Sequence, residues 1–168
     1  GFEAVWASGL EISASYGVPD ANILTMTQFL SKAYEMNQAT TLPIITDCDT
    51  GFGNVNNAFY MMEQYEAHGI SGICIEDKKV PKVNSFIEGR QDLAEINEFA
   101  GKIRAVTDAK KDKNIVLIAR VEALIAGWGM DEALKRSFVY EEAGADAILI
   151  NYKKKEPSEI INFVKVFR

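Results

Sequence analysis

Five short runs of apolar residues, interrupted by few polar positions, are the feature that most restricts the fold of this chain. They span residues 4–8, 43–49, 72–77, 114–121 and 147–152. Near-continuous Ile, Val, Leu and Ala is typical of strands buried on both faces, as in a parallel sheet that helices cover. The sequence therefore predicts an α/β fold in which these runs are the strands.

Amphipathic segments lie between the predicted strands. Residues 57–68 stop at Gly69, and residues 131–143 begin at an aspartate and stop at Gly144, which are common helix boundaries. Residues 92–108 place their apolar side chains on one helical face. Strand and helix alternate throughout, and no Pro/Gly-rich linker or low-complexity stretch interrupts them. We therefore expect a single domain over residues 1–168.

Polar side chains gather where the predicted strands end, and this placement chooses between two architectures. These residues are Ser8, Asp47, Asp49, Glu76, Asp77, Arg120, Glu122 and Asn151. A TIM (β/α)₈ barrel collects functional groups at the carboxyl end of every strand, whereas an open doubly wound sheet collects them at one switch point. The pattern favours the barrel. Five strands are fewer than eight, and the fold usually needs about 250 residues, so we expect an incomplete portion that lacks the first and the last two strands.

Composition excludes several classes of partner. The net charge is −6, and no long basic stripe occurs, which argues against a nucleic-acid partner. Cys48 and Cys74 lie in apolar runs, where buried free thiols are expected rather than a disulfide or a zinc site. No apolar run approaches the roughly 18 residues of a membrane span, and the beginning of the chain lacks the pattern of a signal peptide. We therefore expect a cytoplasmic protein with no membrane partner.

Asp47 and Asp49 stand at alternate positions at the end of one predicted strand, and Glu76 ends the next. Alternation along a strand would point both aspartates to the same side. Three carboxylates at one barrel mouth repel each other unless a cation lies among them. Oxygen ligands with positions left for water and substrate suit Mg²⁺ best. A single Asp here could instead cap a helix or make a turn. Glu122 could be a ligand or an ion-pair partner of Arg120, and the sequence leaves both open.

The segment after the third predicted strand is long for a strand-to-helix connection. Residues 77–91 carry three lysines, an asparagine and a serine, which are residue types that neutralise and hydrogen-bond phosphoryl oxygens. A long loop of this kind is either a lid or a solvated surface loop. Its position directly after Glu76 favours a lid. His68, the only histidine, lies at the C-terminus of a predicted helix beside Gly69, and we assign it no catalytic role.

Four motifs together resemble the phosphoenolpyruvate mutase family of the isocitrate lyase superfamily. They are Trp-Ala-Ser-Gly-Leu at 6–10, Asp-Cys-Asp-Thr-Gly-Phe-Gly-Asn at 47–54, Glu-Asp-Lys-Lys-Val-Pro-Lys-Val-Asn-Ser at 76–85 and Ala-Arg-Val-Glu-Ala at 119–123. The Asp-x-Asp-Thr-Gly run is shared across the superfamily, whereas the lid sequence is more specific. The resemblance implies the Mg²⁺-dependent interconversion of phosphoenolpyruvate and phosphonopyruvate, and a homo-oligomer, a tetramer by analogy with the family.

The resemblance also implies roles for individual residues. The metal would be held, directly or through water, by Asp47, Asp49 and Glu76. The pyruvyl end of the substrate would contact Ser8, Gly9 and Leu10. The phosphoryl group would be anchored by Asn84, Ser85 and Arg120, with Asn151 at the same end. Lys82 would lie in the gating lid, and Asp20 would lie close to the phosphoryl path.

Two departures from the family pattern keep other functions open. Asn151 stands where the family usually has a histidine, and an amide cannot carry a charge. The missing strands would leave apolar surface open. Phosphonopyruvate hydrolase is the nearest alternative, although hydrolases tend to carry Thr at the position of Asn84. Isocitrate and methylisocitrate lyases use a lid cysteine that this chain lacks. A catalytically inactive truncated barrel is the third alternative.

Overall fold

The structure is a computed structural model that describes residues 1–167. Its five strands are β1 (Val5–Ala7), β2 (Ile44–Asp47), β3 (Gly72–Glu76), β4 (Val116–Val121) and β5 (Ala147–Ile150). Its six helices are α1 (Gly9–Ser15), α2 (Met26–Ala39), α3 (Val55–Ala67), α4 (Ile96–Ala109), α5 (Gly129–Glu142) and α6 (Ser158–Val166). The five predicted strands are all present, each slightly shorter than its apolar run.

All five strands are parallel, and their spatial order is the order of the sequence, β1-β2-β3-β4-β5. A doubly wound sheet reverses direction from its first strand, so this order excludes it. Consecutive parallel strands joined by helices form an arc of a barrel instead. The register sets Glu76 directly opposite Arg120, which brings two predicted site residues together at the same rim.

One predicted helix begins later in the structure than in the sequence analysis, because the residues before it form a bridge and a helix cap. The predicted helix 92–108 begins only at Ile96, because Leu93 forms a bridge with Lys78 and the Glu95 carboxylate caps the helix by accepting from the N–H groups of Asn97 and Glu98. Helices α1, α2 and α6 were not predicted at all. Helix α2 has a capping box between Thr25 and Gln28, a short signal that marks a helix start.

The hydrophobic core lies between the sheet and helices α2 to α5. Its largest fully buried side chains include Phe29, Tyr65, Phe99 and Tyr140. Cys48 and Cys74 are buried free thiols, as predicted. Within residues 1–167, no helix has the length and apolarity needed to cross a bilayer.

Candidate active site

The predicted site residues meet at the carboxyl end of the sheet, around a small cavity of about 120 Å³. The cavity is lined by Trp6, Ser8, Leu10, Asp20, Asp47, Lys82, Asn84, Ser85, Phe86 and Arg120. Asp49 and Glu76 are buried beside it. The residues come from strands β1 to β4, from α1 and the segment between α1 and α2, and from the loops that follow β1, β2 and β3.

Asp49 reaches the site through a turn and not through strand alternation, which corrects the reasoning from sequence. Strand β2 ends at Asp47, and Asp49 has a positive φ of 49°. Its N–H donates to Asp47 Oδ1 at 3.1 Å. Aspartate tolerates this left-handed conformation better than most residues do. The turn therefore holds the two carboxylates side by side. The alternative that an aspartate here makes a turn was thus correct for Asp49.

Gly9 lies so close to Asp47 that a side chain at this position would require its neighbours to shift. A Cβ at this position would be 3.1 Å from Asp47 Oδ2 and 3.2 Å from the ring of Phe29. The Gly9 N–H points to the same carboxylate oxygen at 3.4 Å. The glycine after β1 therefore serves the site and does more than turn the chain.

The ammonium group of Lys82 lies among the carboxylates. Its Nζ is 2.6 Å from Asp49 Oδ1, 2.8 Å from Asp20 Oδ1 and 3.7 Å from Glu76 Oε1. The lysine is buried, yet the surrounding carboxylates outweigh the effect of burial and hold the pKa of Lys82 above its ordinary value. Burial raises the pKa of Glu76 to about 8, with Lys82 and Arg120 opposing the shift. Burial likewise raises the pKa of Asp49. The site therefore favours a cation at its centre.

Three carboxylate oxygens in this cluster face the Lys82 ammonium, which a metal ion would have to displace. Asp20 Oδ1, Asp49 Oδ1 and Glu76 Oε1 are buried and pair with Lys82 Nζ, but within residues 1–167 they accept no hydrogen bond of good geometry. Oxygen-only donors suit Mg²⁺, which usually keeps several waters and takes one or two carboxylates directly. Across residues 1–167 no three acidic, thiol or imidazole groups form a ready metal cage. The donor chemistry fits a partly hydrated Mg²⁺.

The segment 77–91 is folded over the cavity. Lys82 and Ser85 are buried, and Asn84 Nδ2 donates to Asp20 Oδ2 at 2.9 Å. Asn22 joins the lid to the turn that carries Asp49, because its Oδ1 accepts from the Lys82 N–H at 2.6 Å and its Nδ2 donates to Asp49 Oδ2 at 3.0 Å. Sequence reasoning missed Asn22, and its position two residues after Asp20 was the only available signal.

Glu122 is an ion-pair partner of Arg120, which decides the alternative that the sequence left open. Its Oε1 lies 2.5 Å from Arg120 Nε and accepts from Asn151 Nδ2 at 2.7 Å. Its Oε2 accepts from Ser85 Oγ at 2.8 Å. Since the carboxylate is fully buried and already has these partners, Glu122 organises the predicted phosphoryl anchors. Because Asn151 Nδ2 donates one of its two hydrogens to Glu122, one amide hydrogen is left for a substrate, while Oδ1 accepts from the Tyr152 N–H.

Two residues outside the cavity are placed as the sequence suggested. Asp77 points away from it and pairs with Arg136 Nη1 and the hydroxyl of Tyr140, both at 2.9 Å. His68 follows α3, where its Nδ1 lies 2.7 Å from the Gln64 carbonyl. Neither side chain lines the cavity, and Asp77 is structural.

Comparison with known proteins gives a consistent result. The family model for phosphoenolpyruvate phosphomutase matches residues 1–168. Phosphonopyruvate hydrolase from Variovorax sp. (strain Pal2) is 54% identical over 98% of this chain and 57% of its own length. The crystal structure of phosphoenolpyruvate phosphomutase from Streptomyces platensis subsp. rosaceus has a TM-score of 0.97 and 54% identity, and the match covers 100% of this chain and 58% of that one.

A phosphonopyruvate hydrolase crystallised with oxalate and Mg++ has a TM-score of 0.91 and 51% identity, over 99% of this chain and 57% of that one. The chain thus spans a little over half the length of these relatives. This likeness confirms the predicted portion of a (β/α)₈ barrel. Because mutase and hydrolase relatives match equally well, the similarity defines the family and leaves the reaction to be tested. The matching model extends over the whole chain, and the chain belongs to the phosphoenolpyruvate phosphomutase family.

Proposed function

We propose that this chain provides the active site of a phosphoenolpyruvate phosphomutase. In this reaction the phosphoryl group leaves the enol oxygen of phosphoenolpyruvate and bonds to carbon 3, which gives phosphonopyruvate without gain or loss of atoms. The observation that carries the proposal is the lid, which holds Asn84 against Asp20 and closes over the cavity. The family resemblance associates Asn at this position with the mutase and Thr with the hydrolase.

Arg120 supplies the fixed positive charge that a phosphoryl group in transit needs. The pKa of Arg120 is raised, because Glu76 and Glu122 outweigh the effect of burial. Its Nη2 lies 3.2 Å from Ser85 Oγ, so a guanidinium edge and a hydroxyl meet at one side of the cavity. Phosphoryl transfer depends mainly on such positioning and charge stabilisation.

We expect exclusion of water from the cavity to favour the mutase reaction over hydrolysis. Once the phosphoryl group is detached from oxygen, a nearby water would capture it as phosphate. The buried side chains of Lys82 and Ser85 place the lid between the cavity and solvent, and closed sites suppress such side reactions. The closed lid therefore supports the mutase assignment.

Mg²⁺ fits the carboxylate cluster, and we propose that Asp47, Asp49 and Glu76 hold it directly or through water. When bound, it would withdraw charge from the pyruvyl oxygens of the substrate. Gly9 and the Asp49 N–H fix the orientation of Asp47 through its two oxygens. The backbone thus prepares one carboxylate for the metal before substrate arrives.

The deciding experiment follows phosphorus by NMR in a mixture of phosphonopyruvate, Mg²⁺ and protein. Two proteins are compared: the chain itself, and a completed chain that also carries the parts of the Streptomyces platensis relative outside the match. The appearance of phosphoenolpyruvate is the expected result. Free phosphate in its place would establish the hydrolase. If the completed chain leaves phosphonopyruvate unchanged, both enzyme assignments are wrong and an inactive barrel remains.

A further inference from the structure

Glu122 and Lys78 form a buried ionic pair that the proposed reaction does not itself require. Lys78 Nζ is 3.6 Å from Glu122 Oε2, and the side chains are 2% and 0% exposed. Between them lies the hydroxyl of Ser85, which is 2.7 Å from Lys78 Nζ and donates to Glu122 Oε2 at 2.8 Å. The ammonium, hydroxyl and carboxylate are therefore linked in one chain.

Lys78 also ties the two ends of the lid together. Lys78 lies just after β3, at the base of the lid, and its Nζ donates to the Val83 carbonyl at 2.6 Å. The buried ammonium thus has three partners, of which two belong to residues 83–85 and the third to the loop after β4. Two contacts join this group to the barrel rim: the Glu122 carboxylate pairs with Lys78, and Ser85 Oγ accepts from Arg120 Nη2 at 3.2 Å.

The opposite side of Glu122 faces the phosphoryl anchors. The oxygen that does not face the lid receives Arg120 Nε at 2.5 Å and Asn151 Nδ2 at 2.7 Å. One buried carboxylate therefore binds the lid through one oxygen and the anchors through the other. Hydrogen bonds to ionised groups are stronger than those between neutral groups. Movement of the lid would therefore strain the contacts of Glu122 with Arg120 and Asn151.

We propose that Lys78, Ser85 and Glu122 form a latch, in which Lys78 and Glu122 are positioning residues that hold the lid closed and set the orientation of Arg120. Ser85 belongs to both the latch and the predicted phosphoryl anchors. The effect on turnover rests on the proposed function, whereas the effect on lid closure does not. In this arrangement, closure of the lid and the ordering of the Arg120 side chain occur together.

Limited digestion with trypsin measures lid closure without turnover. The peptide bond after Lys82 lies in the lid, and the Lys82 side chain is buried, so cleavage there requires the lid to open. The bond after Lys102, another buried lysine, lies inside helix α4 and is cut only on unfolding. The ratio of the two initial cleavage rates, read by mass spectrometry, therefore separates lid opening from loss of the fold.

The variants are Lys78→Met and Glu122→Gln in the completed chain, with Lys111→Met as control because the Lys111 side chain is 77% exposed. Each latch variant should raise the ratio about tenfold or more, the range expected for a lost hydrogen bond to a charged group. The control should leave the ratio unchanged. A wild-type ratio in both latch variants would overturn the proposal.

The double variant tests whether the two residues act as one unit. Because each single change already breaks the latch, the double variant should open the lid no more than the more severe single variant does. Fold-changes that multiply would show two independent residues and would refute the latch.

With phosphonopyruvate and Mg²⁺, Glu122→Gln should lower kcat about tenfold or more with little change in KM, since Arg120 acts in the transition state. An unchanged kcat would remove the positioning role. An inactive completed chain would contradict the proposed function, while digestion would still decide the latch.

Discussion

Replacement of Lys82 by methionine is the sharpest test of the carboxylate cluster. The ammonium is 2.6 Å from Asp49 and 2.8 Å from Asp20, in a site where the lysine side chain is 4% exposed. Removal of one partner from a buried ion pair costs about 3–5 kcal/mol. A loss of this size should lower the Tm of the completed chain by roughly 10 °C in EDTA.

Mg²⁺ should restore much of the stability lost in Lys82→Met, because the ion can occupy the space that the ammonium held. At about a hundred times its Kd, a ligand adds roughly 2.7 kcal/mol to the free energy of unfolding. The rise in Tm on adding Mg²⁺ should therefore be larger in the variant than in the wild-type protein, where Lys82 competes for the same oxygens.

The assay is thermal unfolding, followed by circular dichroism in EDTA and across a Mg²⁺ titration. Lys102→Met is the matched control, since this lysine is also buried but, within residues 1–167, donates to one carbonyl, that of Thr50 at 3.1 Å, and to no carboxylate. The control should lose stability without any greater response to Mg²⁺. Wild-type stability of Lys82→Met in EDTA, or a response to Mg²⁺ equal to that of Lys102→Met, would show that Lys82 does not compensate the carboxylates.

Three further predictions concern single residues in the completed chain. Asp47→Asn should abolish Mg²⁺-dependent turnover of phosphonopyruvate, and unaltered dependence in a Mg²⁺ titration would count against the metal assignment. Arg136→Met should lower the free energy of unfolding in denaturant by about 3–5 kcal/mol, because it leaves Asp77 buried without its cation at 2.9 Å; a change below about 1 kcal/mol would contradict this. Asn151→His should raise kcat several-fold, since an imidazolium donates to Glu122 as the amide does and adds charge near the phosphoryl group; equal or lower kcat would argue that the amide is the better group here.

The strands and the rim positions of the site were accessible from sequence because they depend on local pattern. A buried parallel strand shows itself as an apolar run, and a polar residue at its end must lie at the rim. Asp47, Glu76 and Arg120 follow directly from this reasoning, and the structure confirms their positions at adjacent strand ends.

Other parts of the site depend on contacts between distant segments, which periodicity does not record. Asp20 was indicated only by the family resemblance, and it enters the site because Lys82 and Asn84 reach it from more than 60 positions along the chain. The role of Asn22 rests on a lid that folds back over it. Helix α2 was missed because its apolar face is weakly marked, with only Phe29, Leu30 and Ala33 buried.

The sequential order of the strands makes the site modular. Each β/α unit contributes its own part, and the unit between β3 and α4 alone carries Lys82, Asn84 and Ser85. The carboxylate turn after β2 is a separate module that touches this loop through side chains. We therefore expect exchange of this one loop to change the reaction type while the carboxylate turn after β2 stays unchanged. A chimera that carries the loop of a hydrolase relative would show how much of the chemistry resides in those few residues.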